Sequence, residues 1–326
     1  MAMATSAMCT TTCLLLLMLV APALGRKSPA GPLWYEFYSS SCPNAEGVIR
    51  NVTQEIISED PTMGAAFIKL FFVDCSIGGC DASILLDPAK MRKKEIYWNL
   101  RAIDAINKVK AAVEAICPGI VSCADILALA ARDSVTISGG FGFAMPTGRR
   151  DGLFAEPNNA GELLPSETSH VQDLINYFAA KGLDVDDLVA LSGAHSFGVS
   201  HCGFIQDRLY QKLEPAMDAD LSAELRRKGC EADTWWMSVD MNQVTNTSKL
   251  SNQYYSNVES GKVLFTSDQT LMERDDTAAK VAYYAANSIP WMVRFAGALV
   301  KMGAINVLTG TAGEIRKFCN VTSSSS

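Results

Sequence analysis

Histidine is scarce in this chain: 3 in 326 residues, His170, His195 and His201, so any chemistry needing an imidazole has few candidates. Basic charge is not in surplus. With 28 Lys+Arg against 35 Asp+Glu the net charge is −7, which argues against nucleic-acid binding because phosphates would go unneutralised. No apolar stretch after residue 25 reaches the roughly 20 residues that cross a bilayer, and there is no internal repeat. Convincing alternating strands are few. At 48% hydrophobic and 19% charged, the composition is neither that of a disordered chain nor that of a coiled coil.

Residues 1–25 carry no charged side chain and hold the run Cys13–Val20, followed by Ala23-Leu24-Gly25. A short apolar core before small residues predicts a signal peptide cleaved before Arg26, hence a secreted, extracellular protein. Of 10 cysteines, Cys9 and Cys13 leave with that segment, and an even set remains: Cys42, Cys75, Cys80, Cys117, Cys123, Cys202, Cys230 and Cys319. In an oxidising compartment this predicts four disulfides, with pairing open among 105 arrangements. Cys75 and Cys80 are spaced like half a zinc site, but the other cysteines complete no second knuckle. Sequons at Asn51, Asn246 and Asn320 fit an exported surface.

The pattern predicts a mainly α protein. Asp60 reads as an N-cap with Pro61 at the first helical position, opening an apolar run through Phe72. Residues 101–116 place Ile103, Ile106, Val109, Val113 and Ile116 at helical spacings. Further helices are expected over Ser122–Ala131, Ser169–Ala180, Asp186–Leu191 and Thr277–Val300, with a short strand at Lys262–Phe265. The Gly/Pro/Asn-rich stretch 139–165 and the Ser tail 323–326 read as loops.

Two stretches could carry chemistry. His195 ends an apolar helix and is followed by small residues that let a planar group approach the backbone; a lone histidine there serves equally as a structural group. His170 reads as a solvated helix start, and His201, six residues after His195, falls off the same helical face. In Asp74-Cys75-Ser76-Ile77-Gly78-Gly79-Cys80-Asp81-Ala82-Ser83, hard oxygens on a glycine-bearing loop suit Ca²⁺. An acidic surface turn remains the alternative.

Phe37–Pro43, Cys117–Leu127, Pro146-Thr147-Gly148-Arg149-Arg150-Asp151, Leu188–Gly198, Tyr254-Tyr255 and Ser267-Asp268-Gln269 together resemble the secretory plant (class III) haem peroxidases over almost the whole exported chain. The resemblance implies a mainly α haem peroxidase domain over 26–322, with haem b between a distal half (about 26–145) and a proximal half (about 146–322). It implies disulfides Cys42–Cys117, Cys75–Cys80, Cys123–Cys319 and Cys202–Cys230. It implies His195 as axial iron ligand, Asp268 as that histidine's partner, and Pro146 as the residue whose carbonyl helps hold an aromatic donor. Asp74, Ile77, Gly79, Asp81 and Ser83 resemble distal calcium ligands, and Ser196 and Asp240 proximal ones. The implied substrates are hydrogen peroxide and small phenolic donors, and a monomer is expected.

The departures are chemical. Where the family reads Arg-x-His-Phe-His-Asp-Cys, this chain reads Lys69-Leu70-Phe71-Phe72-Val73-Asp74-Cys75. Val73 stands at the acid–base histidine and Lys69 at the charge-stabilising arginine. Between Asp87 and Asp104 the chain is shorter than the family pattern and lacks the segment whose asparagine there orients the distal histidine. Ser251 stands where a proximal calcium Asp is expected, and the Asp240–Ser251 segment is long. Three readings follow: a secreted peroxidase of low activity, a haem-binding pseudoperoxidase, or a disulfide-stapled extracellular scaffold without haem.

Overall fold

The computed structural model describes residues 32–86, 101–155, 163–210, 215–231, 233–242 and 248–323. The expected signal segment, most of the short 87–104 stretch, Asn246 and residues 324–326 lie outside them.

Among the described residues, the N-terminal part holds the α-helices α1 (Ala45–Glu59), α2 (Met63–Ile77), α3 (Ile103–Ile116) and α4 (Cys123–Ile137). In α1 the buried side chains Ala45, Ile49, Thr53, Ile56 and Ile57 form one stripe. Helix α4 is buried almost all round and packs against α1, α2 and α3. Its start is fixed twice. Ser122 Oγ accepts from the Asp125 amide at 3.0 Å, and the buried Asp151 carboxylate accepts from the amides of Cys123 and Ala124 at 3.1 and 2.9 Å.

The C-terminal part holds, among the described residues, α5 (Val171–Ala180), α6 (Val185–Ser192), α7 (Gln206–Tyr210), α8 (Ala219–Arg227), α9 (Gln253–Glu259), α10 (Thr266–Gln269), α11 (Asp275–Ala286) and α12 (Ser288–Met302). A two-stranded antiparallel ribbon, β1 (Val199–His201) with β2 (Ser238–Asp240), pairs Val199 with Asp240 and His201 with Ser238. One large core unites both parts. A smaller one, including Cys202, Leu209, Leu221 and Val239, lies beside the ribbon.

The four disulfides pair as the resemblance implies: Cys42–Cys117, Cys75–Cys80, Cys123–Cys319 and Cys202–Cys230. Buried ionic contacts also join distant segments. Arg149 donates to Asp125 at 2.8 Å and to the Gly303 carbonyl, and the Arg316 amide donates to Asp151 at 2.9 Å.

Several elements differ from expectation. Helix α2 begins at Met63, because the Asp60 carboxylate accepts from Thr62 N and Oγ1 (3.0 and 2.6 Å) and holds 60–62 in a turn. The expected helix over 277–300 is two, broken at Asn287, whose non-helical backbone (φ −133°, ψ +82°) interrupts the ladder. Pro290 then falls in the first turn of α12, where its missing N–H is not needed. Lys262–Phe265 is not a strand. Arg208 Nη1 donates to the carbonyls of Val263 and Phe265, which occupies acceptors a neighbouring strand would use. The stretch after 139 contains isolated bridges, Trp34 to Thr147, Arg150 to Leu308 and Asp151 to Glu314, that tie it to both ends of the domain.

Candidate active site

A cavity of about 990 Å³ opens between α2, α5, α6 and the ribbon, at the upper end of the volumes typical of cofactor pockets. Its walls are mostly apolar, and His195 lines one side.

Helix α6 delivers His195. The Asp184–Asp187 capping box (2.9 and 2.8 Å) fixes its start, and a tight turn over Gly193–Ser196 follows its end. Gly193 is required there, since a Cβ would come within 2.7–2.8 Å of the Trp291 ring and the Tyr255 hydroxyl. His195 Nδ1 lies 2.7 Å from Asp268 Oδ1, which also accepts from the Tyr254 hydroxyl at 2.8 Å. Asp268 is buried, and its Oδ2 has no hydrogen-bond partner among the described residues. The 42% of the His195 side chain that is accessible opens into the cavity, deep inside the protein. Burial works to lower the His195 pKa, and the Lys69 charge adds to that. The charge and hydrogen bond of Asp268 outweigh both and hold it above its usual value. The ring is therefore oriented and electron-rich, with Nε2 left for a ligand.

The segment bearing Asp268 is itself held. Burial brings the Arg208 guanidinium down to about 10, and its donors to Val263 and Phe265 anchor the residues leading into α10. The Phe265 and Tyr254 rings meet His195 edge-on, at 5.4 and 6.3 Å between centroids.

Across the cavity stands α2. Lys69 and Val73, one turn apart on the same face, both line it. Val73 is buried, and Phe72 beside it stacks on Phe178 with centroids 6.4 Å apart. Burial lowers the Lys69 pKa, and its ammonium makes no hydrogen bond or ion pair with any described residue.

The other singled-out residues fall as follows. Asp74 is buried, with Oδ2 accepting from Ala82 N at 2.9 Å and Oδ1 from Ile84 N at 3.4 Å. Asp81 Oδ1 accepts from Ser83 N at 3.0 Å and from its hydroxyl. Gly79 (φ +149°) and Ala82 (φ +57°) give that loop its reversal. Ser196 Oγ accepts from the amide of Ser251 at 3.0 Å, and Asp240 lies on β2 opposite Val199. Among the described residues no group of three or more His, Cys, Asp or Glu gathers as a metal site. Pro146 is not at the cavity. Its carbonyl accepts from the buried Arg149 at 2.7 Å, whereas Pro165, which the sequence did not single out, lines the wall. His170 is at the surface, 3.2 Å from Glu273. His201 ends a strand rather than extending a helix, and it lines the same cavity as His195.

These features can be set beside known proteins. The sequence profile described as Peroxidase matches residues 49–287. The chain belongs to the plant peroxidase family. It is 37% identical over 319 residues to "Peroxidase 28" of Arabidopsis thaliana, covering 95% of this chain and 98% of that protein. It is 40% identical over 316 residues to "Peroxidase 2" of Zea mays, covering 93% of each, and 41% identical over 290 residues to "Peroxidase 44" of Arabidopsis thaliana, covering 87% and 91%. Membership carries a peroxidase function and implies haem, hydrogen peroxide and a reducing donor. The cavity fits that group: its volume is sufficient, its walls are largely apolar, and its one carboxylate-paired imidazole keeps a ring nitrogen for iron. No helix among the described residues is long and apolar enough to cross a membrane.

Proposed function

We propose that this protein binds haem through His195 and oxidises small phenolic donors with hydrogen peroxide slowly. One observation carries the reading: His195, tied to Asp268, shares a cavity with Val73 and Lys69. When bound, haem supplies the iron at which the peroxide O–O bond breaks. Asp268 accepts a hydrogen bond from the Nδ1–H of His195, which fixes the tautomer and leaves Nε2 to hold the metal. On the opposite wall Val73 has no atom that takes a proton from peroxide or returns one to the leaving oxygen. Such acid–base help is worth about 10²–10⁴ in rate. Lys69 keeps a positive charge without the planar fork of arginine, and a missing charge-stabilising donor costs about another 10²–10³. The two losses do not simply multiply, because the groups act together. Phe72 and Phe178 keep this wall apolar.

The same reading takes residues 26–322 as one haem peroxidase domain, exported behind residues 1–25, monomeric, and glycosylated at Asn51, Asn246 and Asn320. Asp74, Asp81, Ser83 and the carbonyls of Ile77 and Gly79 make an all-oxygen set for one calcium ion. Ser196 and Asp240 are what remains of a second set, weakened by Ser251. A non-catalytic haem-binding role is the second reading, favoured by the Val73–Phe72 wall. Purified protein should take up one haem with a Soret band and oxidise guaiacol far more slowly than its relatives. Absence of a Soret band would refute haem binding, and fast turnover would refute the slow-chemistry reading.

A further inference from the structure

The basic side chains of the cavity are unevenly placed. Arg101, just before α3, His201, at the end of β1, and Lys69 all line it, and the charges of Lys69 and Arg101 both reach His201, whose pKa burial already lowers. Three basic groups from separate parts of the chain thus converge. Arg101 is held in place there: Nη1 donates to Thr62 Oγ1 at 2.7 Å, and Nη2 pairs with Asp60. That uses two of its five N–H donors. The His201 ring makes no hydrogen bond to any described residue, and neither does the Lys69 ammonium. Asp60 does not itself line the cavity, and the acidic residues that do lie elsewhere: Asp268 is committed to His195 and Tyr254, and the Glu167 backbone is tied to Ser267 next to it. An otherwise apolar cavity with one cationic corner suits a flat apolar ligand carrying acid groups on one edge.

We infer that Arg101 and His201, with Thr62 beside them, hold the carboxylate groups of the cavity's ligand. On the function proposed above, on which this rests, those are the two propionates of haem. Lys69 adds positive potential, while Arg101 and His201 provide the hydrogen-bond donors.

The test compares the full chain loaded with haem and with haem dimethyl ester, which lacks the acid groups, and reads the rate at which each passes to excess apomyoglobin. The expected result is loss of the ester about tenfold faster than of the diacid. In the Arg101→Met/His201→Leu double variant that difference should collapse, with a far-UV circular dichroism spectrum like that of the original chain. Equal loss rates in the unmodified chain would overturn the inference and leave haem binding standing, and this comparison decides even if the variant does not fold. A gap undiminished in a folded double variant would overturn the assignment to these residues. Uptake of neither compound would overturn haem binding and this inference together.

Discussion

Val73 and Lys69 stand one turn apart on α2, facing a histidine whose other nitrogen is already committed to a carboxylate. The Asp268 carboxylate does two things for His195: it sets the tautomer, and it raises ring basicity against burial. Replacing it as Asp268→Asn should weaken haem retention by about 10–100-fold and alter the absorption spectrum of the loaded protein; an unchanged spectrum and retention would count against its role. The His195–Asp268 pair was legible only through the resemblance, because 73 residues separate the partners and no spacing rule joins them. Tyr254, 14 residues from Asp268, stood in a quoted motif without a role. Pro146-Thr147-Gly148-Arg149 belongs to the buried network around Asp125, a connection its sequence did not reveal. His201 was set aside on helical geometry, which does not apply to a strand residue.

Elements deliver these side chains, and their existence was more legible than their ends. Helices α3, α4 and α5 follow apolar spacing, and Ser122 caps the start of α4. Helix α1 was not legible because its buried stripe includes the polar Thr53, and the extent of α2 was hidden because a helix buried nearly all round lacks a one-sided stripe. The α6 capping box gives a pH prediction. Burial would raise the Asp184 pKa, but the Asp187 amide, Arg294 and Lys301 bring it down to about 2, from 3.8. The folded value is depressed, so the stabilisation is complete above about pH 4 and is lost as pH falls towards 2. The thermal midpoint of Asp184→Asn should therefore lie below that of the original chain at pH 6, with the gap closing between pH 4 and 2; a constant gap would contradict this. At the Asp74–Ser83 loop, calcium removal by EGTA should lower the thermal midpoint by about 5 °C, and no change on chelation would argue against a bound ion.

At the scale of the whole molecule, the two parts are locked by Cys123–Cys319, which spans 196 residues, and by Arg149 and Arg316 reaching across the chain. The mainly α class and the disulfide pairing were legible, the latter because a recognised cysteine framework stands in for the three-dimensional proximity that spacing cannot provide. The cavity itself was not legible. Its walls come from residues as far apart as Thr62 and Met302, and only packing shows that Val73, Lys69, His195 and His201 share one space. The most direct test of the account is the rate at which the haem-loaded chain consumes one equivalent of hydrogen peroxide at neutral pH, set against its Val73→His/Lys69→Arg variant. The account predicts that the variant is faster by at least about 10². Equal rates, with the original chain already fast, would contradict it.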